Sequence, residues 1–99
     1  LALEELIRRQ TSDTARAIGL TDRGVVAPGM LGDLNILDPA ALGLEAPRMV
    51  HDLPAGGKRL LQKARGYRAT IKRGTVTYRD GEATGALPGR LLRHGRAAA

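Results

Sequence analysis

Residues 67–81 constrain the fold more than any other part of the sequence. Alternating apolar and polar residues on either side of Arg73-Gly74 predict two short strands joined by a two-residue turn. Counting outward from this turn gives four facing pairs: Lys72–Thr75, Ile71–Val76, Thr70–Thr77 and Ala69–Tyr78. This register puts Ala69, Ile71, Val76 and Tyr78 on one apolar face. A lone hairpin is only marginally stable in water, so we expect further strands or a helix against that face.

The composition limits what can cover the hairpin. The 99 residues allow one small domain with a thin core, because the chain has no Phe or Trp and only two Tyr. The absence of cysteine excludes disulfides and thiolate metal sites. We see no signal peptide and no membrane-spanning run, and we expect a cytoplasmic protein. The sequence starts at Leu1 rather than Met, so we expect it to be part of a longer polypeptide.

The net charge of +6 raises the hypothesis of a small basic module that binds nucleic acid or an acidic protein. The basic residues are scattered along the chain, and aromatic platforms for stacking bases are missing. We interpret the charge as a solvated surface, or as a face matched to an acidic neighbour, with no specific nucleic-acid partner. The basic binding module stays as the alternative function.

The N-terminal third predicts two helices and one strand. Leu3, Leu6 and Ile7 are spaced as on one helix, and Thr11 or Ser12 is placed to cap a second helix. The predicted features of this second helix are inward-facing Ala15 and Ile18 and an end at Gly19. Further on we predict an extended segment at 24–26, a type II turn at 27–30 and a strand at 34–37 that ends at Asp38-Pro39.

The pattern is weaker from residue 40 to 66. A helical turn at 40–44 and an extended segment at 49–53 are predicted, followed by a turn at 54–57 and an ambiguous stretch at 58–64. We expect residues 82–89 to form a loop and residues 93–99 to be a disordered tail.

No candidate catalytic group has the companions that its chemistry requires. His51 and His94 are the only histidines, and neither has a second ligand at close spacing. Gly56-Gly57-Lys58 lacks the glycine spacing and the hydroxyl residue of a phosphate loop. The scattered carboxylates are typical of capping and turns; they are Asp33, Asp38, Asp52, Asp80 and Glu82. We therefore predict no catalytic, cofactor-binding or metal-binding residue in this chain.

Three longer stretches nevertheless carry a resemblance to a known family. Residues 27–38 resemble the strand that follows the catalytic barrel in the amidohydrolase superfamily, where a Pro-Gly turn leads into an Ala-Asp-Leu-type strand. Residues 49–60 are similar to a segment of the D-aminoacylase (N-acyl-D-amino-acid deacylase) branch. The hairpin and residues 80–90 are similar to the C-terminus of that branch. Arg73 departs from the pattern, because the turn favours asparagine before glycine.

The resemblance implies a parent hydrolase with a metal-dependent (β/α)8 barrel and a small β-sandwich. In such a parent a divalent metal, zinc by expectation, and the catalytic groups lie in the barrel upstream of Leu1, and the substrate is an N-acyl-D-amino acid. The implied fold class is α+β, with residues 1–20 as terminal helices of the barrel region and 21–92 as part of the sandwich. The implied partners are the missing N-terminal strands and the barrel, or a second copy at open strand edges.

Overall fold

The computed structural model describes residues 1–93 and is of the α+β class, with two short helices followed by antiparallel strands. The helices are α1 (Leu3–Gln10) and α2 (Ser12–Ala17). The strands are β1 (Leu34–Leu37), β2 (Gly43–Leu44), β3 (Arg48–Val50), β4 (Arg59–Leu61), β5 (Ala64–Arg65), β6 (Tyr67–Lys72), β7 (Thr75–Arg79) and β8 (Glu82–Ala83). This architecture confirms the predicted fold class. His94 and the rest of the predicted tail beyond Arg93 lie outside the described residues.

The strands form one sheet and two small ribbons. The sheet has the order β1-β6-β7-β8, so β1 and β8 are its edges. Strands β2 and β5 form one two-stranded ribbon, and β3 and β4 form the other. A 3-10 turn at Pro54–Gly56 connects β3 to β4.

The helices form much as the spacing predicts. Acidic residues lie in the first turn of α1 and basic residues in its last turn, an order that suits the helix dipole. Thr11 does not cap α2, because its hydroxyl instead donates to the carbonyl of Ile7, 2.7 Å away. Ala15 is buried as predicted, but the prediction for Ile18 is wrong. Ile18 is 56% exposed, because it follows the last turn of α2 where the chain reverses at Gly19.

Two predictions concern the connection from α2 to β1, and one of them is confirmed while the other is wrong. The type II turn is confirmed: the Met30 amide donates to the Ala27 carbonyl at 3.2 Å, and Gly29 has a φ of 86°. The extended segment predicted at 24–26 is not a strand, since no described strand pairs with it. Gly24 instead has a φ of 94° and lies close to Ala15. A Cβ added to Gly24 would be 2.9 Å from the Ala15 Cβ.

The central hairpin is β6–β7, and its turn is the predicted one. Arg73 and Gly74 both have positive φ, 51° and 80°, as a type I′ turn requires. The two pairs nearest the turn are correct, but Thr70 faces Tyr78 instead of Thr77, and Ala69 faces Arg79. A bulge at Thr77 causes this slip, with its hydroxyl donating to the Thr70 carbonyl at 3.1 Å. Tyr78 therefore leaves the apolar face to which it was assigned.

The middle and the end of the chain contain more strand than predicted. The prediction of a helical turn at 40–44 is wrong, because residues 43–44 pair with residues 64–65 as a ribbon. The extended segment at 49–53 is confirmed only in part, as β3 ends at Val50. The predicted loop at 82–89 begins with strand β8, which pairs with β7 across an Asp80-Gly81 turn. Asp80 and Gly81 have φ values of 50° and 83°, the signature of a second type I′ turn.

The core is thin throughout the described residues. Ala15 and Ala69, each 8% exposed, are the only apolar residues there that are buried. The two helices pack on each other, and neither packs extensively on a strand. The radius of gyration is 15.8 Å, whereas a compact domain of this length has about 13 Å. Ala69 is buried while Leu34 and Ile36 are exposed, so the apolar face of the sheet is only partly covered within residues 1–93.

Candidate functional site

The carboxylate of Asp33 is a well-connected polar group among residues 1–93. One oxygen accepts hydrogen bonds from Lys72 Nζ at 2.9 Å and from Arg23 Nη1 at 3.4 Å, and the other accepts from the Arg73 amide at 3.0 Å. Arg23 also contacts Asp22, with 3.1 Å between its Nε and the Asp22 Oδ1. The side chains of Arg23, Asp33 and Lys72 are each a quarter exposed or less.

This cluster joins three distant parts of the chain. It connects the loop before β1 to the turn of the β6–β7 hairpin, and the Gly74 amide adds a bond to the Gly32 carbonyl at 3.1 Å. Burial alone would raise the pKa of Asp33. Hydrogen bonds from Lys72 and the Arg73 amide, with the charges of Lys72 and Arg23, outweigh burial and hold that pKa below its usual value. Such a carboxylate stays ionised and paired, which suits a structural clamp rather than a proton carrier.

Three of the other predicted carboxylates, Asp38, Asp52 and Asp80, also serve as ion-pair partners, whereas Glu82 lies in β8 and is exposed. Asp52 receives two hydrogen bonds from Arg59, at 2.8 and 2.6 Å, which lower the pKa of Asp52 and raise that of Arg59. Arg68 lies between two carboxylates, 3.2 Å from Asp38 and 3.7 Å from Asp80. The sequence interpretation of these acids as turn and capping residues missed their cationic partners, which lie up to 30 residues away along the chain.

A polar cleft of about 250 Å³ lies beside Arg68. Its lining includes Glu45, Arg65, Tyr67 and Asp80. The charged groups that line it are exposed, and Arg68 is already shared between two carboxylates. The cleft therefore lacks a buried polar group that would select a ligand.

The structure brings no catalytic set together in the part of the chain that it describes. His51 is exposed at the end of β3, and no group of three or more His, Asp or Glu residues within 1–93 could hold a metal ion. Gly56-Gly57-Lys58 leads into strand β4, whereas a phosphate loop opens a helix. A catalytic divalent metal thus has no ligand set among these residues. Within the same range no helix is long and apolar enough to cross a membrane.

The feature most in need of a partner is one face of the main sheet. Leu34 faces Ile71 and Ile36 faces Ala69, and Val76 continues the same apolar row on β7. Leu34 and Ile36 are nevertheless 37% and 51% exposed. Strand β1 also has an open edge in the described sheet. An apolar sheet face beside an open edge is a surface for further strands or for a partner protein, so the candidate site is an interface.

The basic residues are partly neutralised within the chain. Ion pairs with carboxylates within residues 1–93 involve Arg8, Arg9, Arg23, Arg59, Arg68 and Lys72. These pairs spread over the helices, the sheet and a ribbon instead of forming one basic face. This distribution gives no support to the alternative of a nucleic-acid-binding module.

Comparison with known proteins gives the family. A family model described as "Amidohydrolase family" matches residues 1–78. The chain is also similar to adenine deaminase 1 of Rhizobium meliloti (strain 1021), with 36% identity over 101 residues that cover 88% of this chain and 18% of the relative. The chain thus spans less than a fifth of that relative's length. No solved structure shows a significant match. Since the family match extends over more than half of its residues, the chain belongs to the amidohydrolase family.

Proposed function

We propose that this chain is the C-terminal structural portion of a metal-dependent amidohydrolase and is not catalytic by itself. The observation that carries the proposal is the partly uncovered apolar sheet face on which Leu34 and Ile36 are exposed, in a chain of this family. The preceding polypeptide would supply the strands that cover this face and the barrel that carries the reacting groups. Residues 1–20 would then end the barrel region, and residues 21–92 would belong to the β-domain.

The proposed reaction is hydrolysis of a C–N bond that is not a peptide bond, with an N-acyl-D-amino acid as substrate. The similarity of residues 49–60 and 80–90 to the D-aminoacylase branch supports this substrate. A divalent metal, zinc by expectation, would be held upstream, because the described residues offer no ligand set. The contribution of the present residues is mechanical: the Asp33 cluster fixes the sheet that the barrel would rest against.

Adenine deamination is the second candidate reaction. The 36% identity to adenine deaminase 1 favours it, and that reaction also breaks a C–N bond by hydrolysis. The two candidates differ in the group that leaves. Hydrolysis of an N-acyl-D-amino acid releases a free amino acid and a carboxylic acid, whereas deamination of adenine releases ammonia.

The test uses the polypeptide encoded by the source gene, including the sequence upstream of Leu1. The purified protein, loaded with zinc or another divalent metal, is assayed on N-acetyl-D-amino acids, on their L-enantiomers and on adenine. We expect metal-dependent release of D-amino acids with little activity on the L-forms. Ammonia release from adenine would instead select the second candidate. Full activity of the 99-residue chain alone would contradict the non-catalytic role.

A further inference from the structure

The two helices have no packed interface with the sheet. Helices α1 and α2 pack on each other, and neither packs extensively on a strand within residues 1–93. Residues 18–33, which connect α2 to β1, contain no regular helix or strand. Such a connection acts as a hinge unless specific contacts tie it down. The orientation of the helices relative to the sheet therefore depends on the contacts of residues 18–33.

The first half of this connection is fastened to α2. The chain reverses at Gly19, and the Leu20 amide then donates to the Ala15 carbonyl at 2.9 Å. Gly24 lies against the start of the same helix, so closely that an added Cβ would be 3.1 Å from the Thr11 carbonyl oxygen. Residue 23, the neighbour of Gly24, is therefore held beside α2.

The second half of the connection is fastened to the β6–β7 hairpin. The Gly74 amide donates to the Gly32 carbonyl at 3.1 Å. The Asp33 carboxylate accepts from Lys72 Nζ at 2.9 Å and from the Arg73 amide at 3.0 Å. These three bonds hold residues 32–33 on the turn of the hairpin.

Arg23 joins the two fastened halves. Its Nη1 lies 3.4 Å from Asp33 Oδ2 and its Nε lies 3.1 Å from Asp22 Oδ1, and its side chain is only 11% exposed. A guanidinium presents its donors in one rigid plane, so a single side chain can hold two carboxylates at a defined angle. The Leu31 amide adds one backbone bond, to the Asp22 carbonyl at 2.8 Å.

Apolar packing between α2 and the connection is incomplete. A cleft of about 230 Å³ separates them, with Ser12 and Arg16 on the helical side and Leu20, Val25 and Met30 on the side of the connection. Groups that line an unfilled space have no partner atoms across it and lose that dispersion attraction. The charged contacts of Arg23 therefore contribute most to resisting rotation at this point.

We infer that Arg23 is the pin that fixes the orientation of the α1–α2 pair relative to the β6–β7 hairpin. Without its guanidinium, each half of the connection keeps its own contacts, but the two halves can turn about the bond between the Leu31 amide and the Asp22 carbonyl. The pin itself does not depend on the proposed function, since all of its residues lie within this chain. Under that function it would set how the β-domain is oriented on the end of the barrel region.

Distances between two spin labels in the full-length protein test the pin. The 99 residues contain no cysteine, so Glu4→Cys on α1 and Arg79→Cys on β7 provide the labelling sites once any upstream cysteines are replaced. Pulsed electron paramagnetic resonance measures the distribution of separations, which Arg23→Gln should make at least about twofold broader. Arg16→Gln is the matched control, because it removes the same charge from an exposed residue of the same cleft. It should leave the distribution unchanged.

Two further measurements separate orientation from general stability. Asp33→Asn should also broaden the distribution, and adding Arg23→Gln to it should have no further effect, because both variants remove the same contact. Amide exchange of β6 and β7 should be unchanged in Arg23→Gln. Equal distributions in wild type and Arg23→Gln would overturn the inference, and so would equal broadening by Arg16→Gln or faster exchange throughout β6 and β7. None of these outcomes bears on the hydrolysis assays, which test the proposed function separately.

Discussion

At the scale of single residues, Asp33 makes the most consequential contacts in the described chain. It lies at the start of β1 and accepts hydrogen bonds from residues as far away as Lys72 and Arg73. The sequence indicates only an acid near a strand end. Its role could not be predicted because both partners are 39 or more residues distant, and nothing local distinguishes them from other basic residues.

Replacing this carboxylate tests the clamp. Asp33→Asn keeps the shape but removes the charge that Lys72 and Arg23 face, so we expect a loss of about 1–2 kcal/mol in the free energy of unfolding. Urea titration of the full-length protein measures it. Asp80→Asn is the control, because the Asp80 side chain is exposed and loses only a 3.7 Å contact to Arg68. Its effect on the free energy of unfolding should stay below about 0.5 kcal/mol. Equal effects of the two variants would contradict the clamp.

The lowered pKa of Asp33 also predicts a pH dependence. Because its pKa is lower in the folded than in the unfolded protein, the unfolded state binds more protons once the pH approaches the ordinary carboxyl range. The stabilisation is complete above the unfolded pKa and is lost as the pH falls through the folded one. We expect unfolding midpoints to decrease below about pH 5. Asp33→Asn should flatten this decrease, and an unchanged slope in that variant would argue against the assignment.

At the scale of elements, local turn signals decided which strands could be predicted. Arg73-Gly74 gave the correct turn of the β6–β7 hairpin, and the Pro-Gly turn correctly preceded β1. The Asp80-Gly81 pair, a strong hairpin signal, could have predicted β8 but was interpreted as the end of the hairpin. The bulge at Thr77 gives no such signal, since an alternating pattern continues through it.

The ribbons were harder to predict because their pairing is long-range. Gly43 and Arg65 are paired although 22 residues separate them, and neither short strand alternates in polarity. Behind this ribbon the backbones of Gly66 and Leu42 lie close together. Only glycine permits this contact, because a Cβ on residue 66 would be 2.8 Å from the Leu42 backbone. A backbone contact of this kind is a property of the folded chain, not of the local sequence.

The β6–β7 turn offers a stabilising substitution. Arg73 has a φ of 51°, a conformation that asparagine adopts more readily, and only its backbone amide contacts Asp33. Arg73→Asn should therefore raise the free energy of unfolding by about 0.5–1 kcal/mol, measured by urea titration. Asp80→Asn in the second turn is the control, because aspartate and asparagine both tolerate positive φ. A destabilised Arg73→Asn protein would indicate that the arginine side chain has a role of its own.

At the scale of the whole molecule, the chain has an expanded shape and an uncovered sheet. The composition predicted this outcome, since no Phe or Trp is present to fill a core and the helices supply few large apolar residues. Residues 1–93 bring together no group of three or more His, Asp or Glu residues that could hold a metal ion, so a metal site cannot be located from their geometry. Under the proposed function, the role of these residues depends on what their open surfaces contact.

The open edge and apolar face predict association of the 99-residue chain when it is produced alone. We expect it to elute as dimers or larger species in size-exclusion chromatography, with the apparent size growing with concentration. Ile36→Lys places a charge on the apolar face next to the β1 edge and should shift the chain towards monomer. Leu87→Lys, which adds the same charge elsewhere, should leave the association unchanged. A compact monomer at all concentrations would contradict this prediction.

The most direct measurement of the central claim is amide exchange of β1 and β6 with and without the preceding polypeptide. If that polypeptide covers the face of Leu34, Ile36 and Ile71, then the amides of both strands should exchange at least about a hundredfold more slowly in the full-length protein than in the 99-residue chain. Equal protection of these strands in the two proteins would contradict the account, because the sheet would then be complete within residues 1–93.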